Sequence, residues 1–134
     1  WSPVIMGIPL GFLIANVLLI NEFPDYEADK EGRKKNLVVM YGKKKSVILH
    51  AFLFLGNYAA SVFAALYLHN LLLLLTLLTL PLSITSVVNA WKNYEDIPKL
   101  IKSNAATVQI YQLTGLLFTA ILAGTRIFQN LINR

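Results

Sequence analysis

Ser46 to Trp91 reads SVILHAFLFLGNYAASVFAALYLHNLLLLLTLLTLPLSITSVVNAW, 46 consecutive residues without one Asp, Glu, Lys or Arg. A buried helix of a soluble protein does not need that much uncharged length. Two crossings of a hydrocarbon core, at about 20 residues each, do. Working outward, Trp1 to Asn21 and Ser103 to Thr125 also carry no charge. The chain has 134 residues, of which 56% are hydrophobic and 14% charged. Ordinary soluble domains run near 45–50% and about 25%. A domain this small exposes most of its residues and could not hide the excess. The expected fold is therefore all-α: one integral membrane helical bundle over residues 1–134, with four transmembrane helices at about 4–20, 45–68, 71–90 and 104–128. Helices satisfy every backbone group in lipid, and no alternating ten-residue pattern suggests a barrel. A disordered tail, a secreted miniprotein and a soluble enzyme are excluded.

The charges set the topology. The net charge is +5, and ten of the twelve Lys and Arg lie in two loops, 22–45 and 91–103. Lys30, Arg33, Lys34, Lys35, Lys43, Lys44 and Lys45 are in the first, and Lys92, Lys99 and Lys102 in the second. The turn at His69-Asn70 has no Lys or Arg. The positive-inside bias then makes both charged loops cytoplasmic and sends both chain ends outward, against the two charges of Arg126 and Arg134. The basic residues suit topology and lipid headgroups, not a nucleic-acid partner. The absence of cysteine removes disulfides, thiolate metal sites and cysteine nucleophiles. The first apolar span lacks a basic n-region and a cleavage site, so it is not read as a signal peptide. Trp1 in place of Met suggests a start inside a longer polypeptide.

Several residues read as structural. Gly7, Gly11 and Ala15 stand four apart, a spacing that lets helix backbones approach closely. Pro81 should kink the third helix, the freed carbonyl being taken by a neighbouring Ser or Thr. His50 and His69 lie at opposite ends of one helix, too far apart to share a metal, and read as interfacial. Tyr41, Tyr67, Trp91 and Tyr94 suit an aromatic belt. Asn104, Thr107, Gln109, Tyr111, Gln112 and Thr114 gather on the fourth helix and read as interhelical hydrogen bonds ahead of a pocket lining. Tyr58, Tyr111 and Phe118 offer aromatic faces within the spans.

Chemistry concentrates at Asn21-Glu22-Phe23-Pro24-Asp25-Tyr26-Glu27-Ala28-Asp29-Lys30. If the segment after Pro24 is helical, Asp25 and Asp29 share a face and repel each other. A hard divalent ion such as Mg²⁺ would offset that, and typically takes one or two carboxylates plus phosphate oxygens. Lys30, Arg33, Lys34 and Lys35 follow as candidate partners for those oxygens. The spacing alone admits two readings equally: a diphosphate site at a membrane surface, or a solvated loop pairing its charges beside lipid headgroups. Use of the Asp pair as acid and base is disfavoured, since exposed carboxylates titrate near pH 4.

Asn21-Glu22-x-x-Asp25-x-x-x-Asp29, followed by Leu37-Val38-Val39 and Gly42, resembles the second aspartate-rich motif of the UbiA superfamily of intramembrane polyprenyltransferases. The wording NEFPDYEADK…NLVVMYG is most similar to the menaquinone branch, which prenylates 1,4-dihydroxy-2-naphthoate. The resemblance implies the C-terminal four helices, roughly half, of a nine-helix prenyltransferase fold in a prokaryotic plasma membrane, with a cytoplasmic-side active site. It implies Mg²⁺ as cofactor, with Asp25 and Asp29 as catalytic metal ligands and Glu22 as a further metal contact. Asn21, Lys30, Arg33 and Lys34 would bind the diphosphate. The partners would be a polyprenyl diphosphate, an aromatic acceptor and the bilayer. Two departures stand out. Gly32 is followed by Arg-Lys-Lys-Asn before the Leu-Val segment, and the family's earlier N-x-x-x-D motif has no counterpart here. An N-terminal half carrying that first motif, in the same chain or a separate subunit, is therefore expected. Alternatives are another UbiA-type acceptor (hydroxybenzoate, chlorophyll or tocopherol precursor, haem, archaeal lipid) or a non-catalytic scaffold or transporter subunit.

Overall fold

A computed structural model describes residues 2–132, with side chains from residue 3 to residue 127; Trp1 and Arg134, used above, lie outside them. The protein is helical throughout, with no strand among the described residues. Four segments are long and apolar enough to cross a membrane: Pro3–Asn21, Lys43–Tyr67, Leu71–Asn93 and Ile97–Ile127. It is an integral membrane protein.

The first crossing is α1 (Ser2–Asn21), with Pro9 inside it. Two short helices follow, α2 (Tyr26–Glu31) and α3 (Leu37–Tyr41). The second crossing is α4 (Lys43–Tyr67). Gly42 separates α3 from α4 at φ 81°, ψ 154°, a region open essentially to glycine alone. That single residue turns the chain from the surface into the membrane.

The third crossing departs from expectation. Instead of an α-helix kinked at Pro81, Leu71–Thr79 is a 3₁₀ helix, and α5 (Leu80–Asn93) begins only at its end. Pro81 has no N–H to give Leu77, and in an α-helix its ring would crowd that carbonyl. The Leu77 carbonyl instead accepts from the N–H of Leu80. Pro81 becomes the second residue of α5, where a missing N–H leaves no bond unmade. Thr76 and Thr79 hydroxyls donate back to the carbonyls of Leu73 and Thr76.

The last crossing, α6 (Ile97–Ile132), starts earlier than the sequence indicates. Only residues 94–96 of the expected 91–103 loop are outside a helix. Asp96 Oδ1 accepts from the Lys99 N–H at 3.2 Å and Pro98 fills the first turn, so the helix is capped at the loop and extends through the charged residues.

In the bundle α1 packs against both α4 and α6, α5 lies along α6, and the 3₁₀ segment touches α4 and α6. The core has three layers. Met6, Ala64, Ala65, Leu73, Phe118 and Ile121 fill the end bearing the His69 turn. Leu13, Phe54, Tyr58 and Ile110 fill the middle. Leu19, Ile20, Phe23, Val38, Val47, Ala90 and Leu100 fill the charged end. The last layer fixes the site, because Phe23 and Val38 anchor both ends of the segment that carries α2.

Gly7, Gly11 and Ala15 do not make the close helix contact their spacing suggested. Ala15 is exposed, and a Cβ built on Gly7 or Gly11 would meet nothing within 4 Å. The close approach of α1 to α4 is at Gly56 instead, where a Cβ would stand 2.7 Å from the Phe12 ring. Spacing marks where helices are able to approach; it does not choose the neighbour.

Candidate active site on the acidic loop

The site is built by α2 and the turns around it. Pro24 and Asp25 lead into α2, and the Asp29 N–H donates to the Asp25 carbonyl at 2.8 Å, so the two aspartates stand one helical turn apart. Their settings differ. Asp25 is exposed, whereas Asp29 is buried, its side chain 10% exposed.

The end of α2 explains what surrounds Asp29. The Arg33 N–H donates to the Lys30 carbonyl and the Lys34 N–H to the Asp29 carbonyl, at 3.2 and 2.9 Å. This is a Schellman turn, which requires a left-handed residue before its last N–H. Gly32 precedes that position and has φ −72°; the left-handed residue is Arg33, at φ 55°. The turn folds Lys34 back over its own helix, and Lys34 Nζ sits 2.5 Å from Asp29 Oδ1. On the other side Asn36 Nδ2 donates to Asp29 Oδ2 at 2.8 Å. Asn36 is itself fixed, since its Oδ1 accepts from the Val39 N–H and caps α3. Hydrogen bonding to Asp29 holds the Lys34 ammonium above the ordinary lysine range, its charge adds to this, and Asp25 contributes from farther away. Lys34 is cationic at any neutral pH.

Glu22 Oε2, at the start of the loop, accepts from the Val38 N–H at 3.1 Å. It thereby ties the end of α1 to α3. Asn21 accepts from Asn104 of α6. Lys30 is exposed with its ammonium 5.7 Å from the Tyr26 ring centre, and Arg33 is exposed at the turn. The structure thus brings Asp29 and Lys34 into contact, sets Asp25 one helical turn earlier at the start of α2, and holds Glu22 and Asn21 in contacts that join helices. Among the described residues no three His, Asp or Glu converge as a ligand set. Asp25 and Asp29 still fit a hard divalent ion: both offer carboxylate oxygens one turn apart, and Asp29 Oδ1 already faces a cation.

Local sequence signals missed two residues. Asn36 orients Asp29, and its place just before Leu37-Val38-Val39 is a helix-cap signature. Lys43 joins the two charged loops: its ammonium lies 3.2 Å from Glu95, 3.6 Å from Glu27 and 4.8 Å from the Tyr26 ring centre. Nothing near Lys43 in sequence announces a partner 52 residues away.

His50 is not interfacial. It is fully buried, with Nδ1 2.6 Å from Asn16 Oδ1 and Nε2 3.1 Å from Ser86 Oγ. The Asn16 amide donates to the His50 carbonyl, so its oxygen faces Nδ1, and the Ser86 hydroxyl beside Nε2 donates to the Ser103 carbonyl. Ser86 continues to Thr107, and Ser103 is bonded by Asn89. This chain crosses all four spans one layer beneath the site. Of the fourth-helix polar residues, Thr107 belongs to it and Asn104 to the Asn21 contact. Tyr58 is engaged with Thr79 at 2.9 Å, and Phe118 packs in the core layer near the His69 turn. Tyr111 and Gln112, with Leu10 and Gly115, line a groove between α1 and α6.

A protein-family model now places the chain. The model of the UbiA prenyltransferase family matches residues 1–113, which takes in the acidic loop and three and a half crossings. The chain belongs to the UbiA prenyltransferase family. No curated protein and no solved structure matches it. UbiA members are prenyltransferases, and that general reaction comes with the family.

Proposed function

We propose that this UbiA chain carries part of a Mg²⁺-dependent site that transfers a polyprenyl group from its diphosphate to an aromatic acceptor of the 1,4-dihydroxy-2-naphthoate kind, in quinone biosynthesis. The observation that carries the proposal is the Asp25–Asp29 turn with its adjoining Lys30, Arg33 and Lys34, inside the span matched by the family. Asp25 and Asp29 would hold the ion, with Glu22 and Asn21 fixing the loop at its root. When bound, Mg²⁺ neutralises charge that develops on the leaving group. Lys30, Arg33 and Lys34 would take diphosphate oxygens as charge-assisted donors. The allylic C–O bond breaks with its electron pair leaving on the diphosphate; the acceptor ring forms the new C–C bond and releases a ring proton. The apolar groove between α1 and α6, about 310 Å³ and lined by Met6, Gly7, Leu10, Gly115 and Phe118, offers the isoprenoid tail a course away from water. A first aspartate-rich loop from an N-terminal half would complete the site, which on this reading faces the cytoplasm.

The test is transfer of a labelled polyprenyl group by native membranes containing the protein, with 1,4-dihydroxy-2-naphthoate and 4-hydroxybenzoate as competing acceptors. The expected result is a prenylated naphthoate, lost on chelation and restored by Mg²⁺. Prenylated hydroxybenzoate instead would move the protein to another branch. Transfer unaffected by chelation would overturn the metal.

A further inference from the structure

In this structure the most enclosed carboxylate of the acidic loop is already paired with a cation from its own chain. Asp29 Oδ2 is held by Asn36, which α3 keeps in place, so Oδ1 is the oxygen left to face outward. Lys34 Nζ stands on that oxygen at 2.5 Å. The Arg33 turn that brings Lys34 there is strained, because left-handed backbone costs a non-glycine residue about 1–2 kcal/mol. The backbone is thus bent, at Arg33, to return a lysine to an aspartate five residues earlier. The Lys34 side chain is 68% exposed while Asp29 is 10% exposed. The carboxylate is rigid and the cation is on a flexible four-carbon tether, free to leave.

We propose that Lys34 is a placeholder cation: it occupies the ligand position on Asp29 Oδ1 in the free protein, yields it to a divalent ion, and is released toward the anion that accompanies that ion. Charge accounts for the order of events. Asp25 and Asp29 carry two negative charges that Lys34 half neutralises, and a divalent ion neutralises them fully. On the lysine side the release costs little, since the Lys34 side chain is 68% exposed and water replaces the contact its ammonium gives up, while the incoming ion keeps the enclosed Asp29 paired. The freed ammonium then lies beside the new ion, where a diphosphate would place its oxygens. The same lysine would keep the loop closed on itself until metal arrives and then turn to the substrate. The inference rests on reading Asp29 as a metal ligand, and its test separates the two.

The experiment is Mn²⁺ binding to the full chain in detergent micelles, followed by the paramagnetic resonance of free Mn²⁺. Wild type, Lys34→Met, Lys35→Met and Asp25→Asn are compared. Lys34→Met keeps the backbone bond to Asp29, so the turn survives. The expected result is that Lys34→Met binds Mn²⁺ about two- to fivefold tighter, the range to which the coupling of an ion pair screened by water on its lysine side converts. Lys35→Met removes the same charge one residue away and should change less, and Asp25→Asn should lose binding. Binding to Lys34→Met alone would support the placeholder as well. Equal tightening by Lys34→Met and Lys35→Met, or none in either while Asp25→Asn still loses binding, overturns the placeholder and leaves the site. Binding that ignores Asp25, or no binding in any chain, removes the site and the placeholder together.

Discussion

At Arg33 a positive φ is carried by a residue that pays for it, one position after a glycine that does not need its freedom. Arg33→Gly should relieve that strain and stabilise the end of α2 by about 1 kcal/mol. Hydrogen exchange at the Arg33 and Lys34 amides should slow about fivefold, and unchanged or faster exchange would contradict the turn. Gly42 makes the opposite case. Its Cβ would meet no atom, yet its φ of 81° with ψ 154° excludes other residues. Gly42→Ala should therefore cost about 1–3 kcal/mol through backbone strain alone, read as a lower unfolding temperature in detergent. Sequence shows both glycines and ranks them equally. Gly32 ends α2 with an ordinary φ and Gly42 stands between α3 and α4 with a positive one, so which glycine uses its freedom depends on how the chain leaves each helix, and that is not written in either residue.

The elements teach a similar lesson. The crossings are plain in sequence because charge is costly in hydrocarbon, and its absence over 46 residues has no other ready explanation. What joins the crossings leaves no such mark. Asn16, His50, Ser86 and Thr107 are scattered along four spans, and each alone is an ordinary polar residue. His50→Leu would leave Asn16 Oδ1 without its partner in a dry bundle, while Ser86 keeps Ser103 and Thr107, and should cost about 1–3 kcal/mol. Asn57 makes a contrast, since both its side-chain polar atoms are buried without a hydrogen-bond partner among the described residues. Asn57→Leu should be neutral or stabilising in the same thermal assay; a loss equal to that of His50→Leu would contradict the pairing described. The small residues divide in the same way. Gly56→Ala should push α4 from α1 by crowding Phe12, at about 1–3 kcal/mol, whereas Gly11→Ala should change stability little. The 3₁₀ start of the third crossing was the least legible element. A leucine run followed by proline fits a kinked α-helix as well as a 3₁₀ one, and the choice falls to where Leu77 finds a donor.

For the whole molecule, sequence and structure divide the site between them. The motif gives the identities of Asp25, Asp29 and the basic residues, and the helical turn between the aspartates follows from their spacing. That Asp29 faces inward, is oriented by Asn36 and carries Lys34 depends on a turn and a cap that spacing does not determine. The three core layers place this assembly at one end of the bundle, tied across the loops by Lys43 to Glu95 and across the helices by Asn21 to Asn104. The loop that would do the chemistry is thus held by the same contacts that hold the fold. A substitution at Lys43 or Asn104 should therefore loosen the site and lower stability together, while one at Asp25, which is exposed, should spare stability. The proposed function puts prenyl transfer on the aspartate turn, and the most direct measurement is that transfer by native membranes bearing Asp25→Asn or Asp29→Asn. Each variant should keep its helix content and insert in the membrane, yet lose at least about a hundredfold in rate, the scale of removing one group that stabilises developing charge. Near wild-type transfer by both variants would contradict the assignment.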